Sequence, residues 1–136
     1  MTNYSISDIE GIGPKLCVKL EKAGISLLSE LFDACSTKKG RKLLSDKTGI
    51  SEEKLLKWVN IADLYRVQGV GAEYTELLEA SGVEAINELQ EINPERLYEK
   101  MVKVNSAKKF VLQVPSMQEI TSIIQNAKSV KSLIMN

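Results

Sequence analysis

The chain has 136 residues, 43% of them hydrophobic and 26% charged, with 18 basic and 18 acidic side chains and no histidine. A chain of this size and apolar content buries about two-thirds of its unfolded surface as one compact domain, which argues against disorder. No apolar run approaches the roughly 20 residues of a membrane helix, and residues 1–8 lack the basic-then-apolar order of a signal peptide.

The chemistry that remains is narrow. Without histidine the commonest general base and metal ligand are missing, and Cys17 and Cys35 lack CxxC spacing, so no zinc constellation can be drawn. Both cysteines fall in helix-like sequence and read as buried reduced thiols. A cytoplasmic, non-enzymatic protein with no metal and no membrane partner is expected.

In chain order, the first informative segment is Ile9 to Ile25, in which Gly11 and Gly13 flank Ile12 and Pro14 opens a helix that Gly24 ends. The two glycines allow positive φ or close backbone approach, and Ile12 can point inward as a plug. Pro14 fits the first helical position, where a missing amide costs nothing. Unpaired amides at such a start carry roughly half a positive charge and suit a phosphate oxygen. Lys15 adds a full charge beside them, and Lys19 lies one turn further on the same face. The plainer reading is a tight turn between two helices, which an isolated GxG would favour.

Between Leu31 and Ser51 an insertion brings a helix-like stretch, Lys39 to Lys47, and a secondary basic patch of Lys38, Lys39, Arg41 and Lys42. Ser51 then caps a helix in which Trp58 joins Leu55, Leu56, Val59 and Ala62 on one apolar face. Trp58 is best read as a core anchor, with stacking on a base as the alternative.

At Val67 the pattern of Ile9 to Ile25 returns 58 positions later, pairing Gly11 with Gly69, Gly13 with Gly71, Leu20 with Leu78 and Gly24 with Gly82. The second copy places Gly69, Val70 and Gly71 where the first has Gly11, Ile12 and Gly13. Glu73 and Leu77 stand where Lys15 and Lys19 stand, and Glu76 and Glu79 add negative charge. A phosphate would be repelled there by on the order of 1 to 4 kcal/mol. Asn93-Pro94 and Pro115-Ser116 open two further helices, the last with a broad stripe of Met117, Ile120, Ile123, Ile124, Ala127 and Val130. From Lys100 onward, Lys100, Lys103, Lys108, Lys109, Lys128 and Lys131 face Glu119 alone.

Both glycine segments resemble helix-hairpin-helix motifs. With the Ala62 to Gly71 approach and the VPS before the last helix, nearly the whole chain resembles a bacterial family of tandem helix-hairpin-helix domains of uncharacterised function. The resemblance implies an all-α, SAM-like helical bundle: a single domain over 1–136, with unit one at 4–61 (hairpin motif 5–25) and unit two at 62–132 (motif 62–83) packed about an approximate two-fold axis. It also implies a sequence-independent grip on the DNA backbone, by Gly11, Ile12, Gly13 and Lys15 in the first copy and by Gly69, Val70 and Gly71 in the second. No cofactor is expected beyond a monovalent cation shared between loop carbonyls and phosphate. The acidic second copy departs from that pattern, so one working hairpin is expected. The alternative is a protein-interaction scaffold that uses the acidic unit and binds no nucleic acid.

Overall fold

Four of the eight described α-helices form where an apolar stripe at 3.6-residue spacing meets a side chain that takes up orphan amides of the first turn. Thr37 accepts the Gly40 amide at 3.1 Å and opens α3 (Lys38–Thr48). Ser51 accepts the Lys54 amide at 3.2 Å and opens α4 (Glu52–Leu64). Asn93 accepts from Glu95 and Arg96 at the head of α7 (Pro94–Ala107), and Ser116 with Glu119 forms a reciprocal box at the head of α8 (Met117–Lys128). Pro115 therefore precedes the cap of α8 and is not its first residue. The remaining helices are α1 (Pro14–Lys22), α2 (Leu28–Cys35), α5 (Gly71–Ala80) and α6 (Ile86–Glu91), with a short 3-10 turn at Ile6–Asp8.

The computed structural model describes residues 4–9 and 12–135, without the side chains of residues 72 and 73. Among the described residues there is no β-strand, only an isolated bridge between Ser5 and Leu27. The fold is all-helical, as the periodicity predicts. No described helix is long and apolar enough to cross a membrane.

Two compact units are formed, Met1–Asp63 with Leu133–Asn136, and Leu64–Ser132. In the first, α2 packs on α3, and Ile12, Leu20, Leu28, Leu31, Leu55, Trp58 and Val59 are buried. Trp58 is thus a core residue. The chain end joins this unit through the Met135 amide, which donates to the Ser36 carbonyl at 2.7 Å. In the second unit, α8 packs against α6 and α7, and α5 against α7. Its core holds Leu64, Val67, Leu77, Leu78, Val83, Ile86, Leu89, Leu97, Met101 and the Ile120–Ile124 stripe. Each fully buried Leu or Ile contributes roughly 1.5–3 kcal/mol.

Local geometry recurs at matching positions in the two glycine segments. Ile12 and Val70 each donate an amide to the residue three before, at 3.0 and 3.1 Å. Both helices end in a Schellman arrangement, with Gly24 at φ 88° and Gly82 at φ 95°. The closing bonds run from Ile25 to the Leu20 carbonyl at 2.8 Å and from Val83 to that of Leu78 at 2.9 Å.

Candidate nucleic-acid interface

The two glycine turns differ in what their glycines are for. Gly13 sits at φ −71°, ψ 170°, ordinary extended backbone, and caps α1 without a side-chain bond. A Cβ built on it meets nothing within 4 Å. The positive φ that a GxG turn permits is therefore not used at Gly13. The cause is Pro14, whose ring drives the residue before it into the extended region. Gly11 lies outside the described residues.

The second turn does use the freedom. Gly69 has φ 96° and Gly71 φ 54°. A Cβ on Gly69 would lie 3.1 Å from Cγ1 of Ile123 on α8. Asn126, also on α8, donates its side-chain amide to the Gln68 carbonyl at 2.9 Å. Fold and packing thus account for the glycine at position 69, whereas neither demands one at 13.

Around Gly13 the electrostatics are open. Ile12 is 4% exposed and acts as the inward plug, with the Cys17 thiol 3.7 Å from its carbonyl. Among the described helices, α1 alone has neither a side-chain cap nor an acidic residue in its first turn. In α5 the sequence puts Glu73 at the third helical position. Lys15 and Lys19 are exposed as expected. Lys22, which sequence reasoning left out although its i+7 spacing marks it, is exposed on the same face, within about 60° of the other two on the helical wheel. Val18, 48% exposed, lies beside them, and Cys17 and Leu20 face the core. Lys19 and Lys22 also fall in the last turn of α1, where cations complement the carbonyl end.

The secondary basic patch divides. Lys38, Lys39 and Lys42 are exposed. Arg41 is 4% exposed, and its guanidinium donates to the Cys35 carbonyl at 2.9 Å and to the Met135 carbonyl at 2.7 Å. It is an internal clamp on the chain end, not part of the surface patch. A partner 94 positions away leaves no local sequence signal. Lys38 and Arg41 border a cavity of about 240 Å³ with Glu52, Glu53 and Leu56, so acidic groups offset the patch on that side.

Both cysteines are free and buried. Burial pushes the Cys17 thiol up, helped by nearby Glu21, and pushes Cys35 to about 11 against the opposing pull of Arg41. Neither is a thiolate at neutral pH. Among the described residues no group of three or more acidic or cysteine side chains could hold a metal ion. For the monovalent cation implied by the resemblance, the carbonyls of residues 10 and 11 lie outside the described part, and that of Ile12 faces the Cys17 thiol.

No curated protein and no solved structure matches the chain. One family does, over residues 10–130: the chain belongs to the family described as a domain of unknown function, DUF4332.

Proposed function

We propose that this protein binds the nucleic-acid backbone, with duplex DNA as the ligand, without reading sequence and without catalysing a reaction. The first glycine turn acts as a helix-hairpin-helix grip. The observation that carries this reading is the start of α1, where an uncapped amide end, a glycine for which neither φ nor packing accounts, and three lysines on one exposed face coincide. A bare Gly13 lets a phosphate approach the backbone closely. The amides of the first turn then supply directional donors, and Lys15, Lys19 and Lys22 supply the screened attraction that dominates such binding. Contacts of this kind fix position and carry no base information.

The repetition of the closing bonds at Leu20 and Leu78 supports reading the second segment as a sister hairpin, and its bond to Asn126 and the close approach of Gly69 to Ile123, both on α8, support a structural role for that copy. Titrating duplex DNA with the full chain should give measurable affinity that falls steeply with salt. Lys15→Glu should remove most of it without lowering the melting temperature, because Lys15 is exposed. Undiminished affinity in Lys15→Glu would reject the first turn as the grip.

A second reading, a protein-interaction scaffold, is favoured by the zero net charge and a pI near 6.4. Under that reading a basic protein docks on the second unit through Glu76 and Glu79. Pull-down lost on charge reversal of those two residues, with no DNA affinity in the parent, would select it.

A further inference from the structure

The run of lysines from position 100 onward is not explained by the grip on α1. Lys100, Lys103, Lys108, Lys109, Lys128 and Lys131 are all exposed. Between α7 and α8 the chain makes a non-helical loop over 108–114 whose middle is held by one side chain. Asn105 accepts the amides of Phe110 and Val111 at 2.8 and 3.0 Å and donates to the Val111 carbonyl at 3.1 Å. Phe110 and Val114 pack on the unit's core, Val111 is part of it, and Pro115 is buried. Leu112, between the buried Val111 and the core-packed Val114, stands 90% exposed, more than any other large apolar side chain described. Lone exposed apolar residues are common on protein surfaces. This one is distinguished by core-packed residues on both sides and by two exposed lysines at the same loop, Lys108 with its ammonium 5.2 Å from the Phe110 ring centre and Lys109 beside it.

We propose that the 108–114 loop is a second DNA contact, in which Lys108 and Lys109 take phosphate and Leu112 enters the duplex as an apolar wedge at a step that unstacks easily. This rests on the reading of the protein as a DNA-backbone binder. The chemistry selects this occupant over a protein groove because an exposed aliphatic side chain on a loop that also carries two exposed lysines matches the way apolar side chains pry base steps apart from a phosphate-anchored loop. The wedge gains apolar burial and loses stacking, so it favours sites where stacking is already weak, such as a mismatch or a flexible pyrimidine–purine step. The proposed ligand class is therefore duplex DNA with a locally deformable step, bound without base readout.

The test uses the full chain, a duplex carrying one mismatch beside a 2-aminopurine, and its fully paired counterpart, at about 50 mM salt, where phosphate contacts are strong. The parent should bind the mismatched duplex more tightly and raise the 2-aminopurine fluorescence on binding. Leu112→Ala should bind that duplex roughly 10-fold more weakly and lose the fluorescence rise, as expected when a wedge gives up part of its buried apolar area. Leu112→Met should retain both. Lys109→Ala should make the logarithmic salt slope shallower by about one on both duplexes. Leu112 is at the surface, so an unchanged melting temperature accompanies each variant.

Leu112→Ala binding both duplexes like the parent would overturn the wedge. So would a loss confined to vesicles of anionic phospholipid, which would make the loop a lipid contact. If Lys15→Glu abolishes binding while Leu112→Ala changes nothing, only this inference falls. If Leu112→Ala weakens binding and Lys15→Glu does not, the grip on α1 falls and the wedge stands. A parent that binds neither duplex removes both.

Discussion

Replacing Gly69 by alanine should separate the two glycine turns more cleanly than any charge change. At φ 96° an L-residue is strained, and a backbone held in so sparsely populated a region costs roughly 1–3 kcal/mol. The new Cβ would lie 3.1 Å from Cγ1 of Ile123, so α8 must yield by a few tenths of an ångström, which adds on the order of 1 kcal/mol in a packed core. Against this, alanine restricts the unfolded chain and returns about 0.4–1 kcal/mol. The net loss is about 2 kcal/mol. For a unit of this size, Leu64–Ser132, each kcal/mol lowers the melting point by roughly 4–8 °C, so a fall of about 10 °C is expected. Gly13→Ala is the matched control. Its φ of −71° suits any residue and its Cβ meets nothing within 4 Å. The weaker capping by alanine, about 0.5–1 kcal/mol, and the gain through the unfolded state nearly cancel. Thermal melting followed by circular dichroism at the helical band reads both. Equal melting points for Gly69→Ala and the parent, or an equal drop in both variants, would refute the assignment of different roles to the two glycines.

Other consequences follow from single side chains. Glu30 accepts the Ser26 and Leu27 amides at 3.1 and 2.9 Å, and these bonds hold its carboxyl below its ordinary value of 4.5. Since the folded value is the lower one, its contribution is fully present above the ordinary value and is lost as pH falls through the folded one. Glu30→Gln should therefore narrow the difference in melting temperature between neutral and acid pH, and an unchanged difference would count against it. Arg41→Met should lower the stability of the first unit by about 1.5–3 kcal/mol through loss of its bonds to two carbonyls, and leave DNA affinity unaltered. A drop in affinity at constant stability would return Arg41 to the surface patch. Cys35, fully buried and with its thiol at about 11, should resist an aromatic disulfide reagent at neutral pH until the protein unfolds, and rapid labelling of the native state would contradict that placement.

Most of the helices were legible because they carry their own signals, whereas α2 and α6, which follow Leu27 and Ala85 with neither a capping side chain at that position nor a proline, were not singled out. Pro14, Pro94, Ser51 and Ser116 mark starts, and Gly24, Gly49 and Gly82 mark ends at φ 88°, 79° and 95°. Ile12 as plug and Trp58 as core were legible from their place in apolar stripes. Treating the two GxG turns as alike overlooked Pro14: the residue before a proline is pushed to extended φ and ψ, while Gly71 precedes an alanine and enters the helix at φ 54°. Arg41 could not be read, because its charge answers a carbonyl near the far end of the chain. The loop held by Asn105 was equally hidden, since an asparagine that brackets residues five and six positions ahead has no periodicity to reveal it.

The central claim is that the amides at the start of α1 meet phosphate, and backbone amide chemical shifts report it directly. Adding a short duplex DNA to the isotopically labelled full chain at low salt should perturb amides at Gly13, Lys15, Leu16 and their neighbours, with the Gly69 to Glu76 amides unmoved and the effect lost in Lys15→Glu. Perturbations centred on the second turn, or none anywhere at about 50 mM salt, would contradict the account.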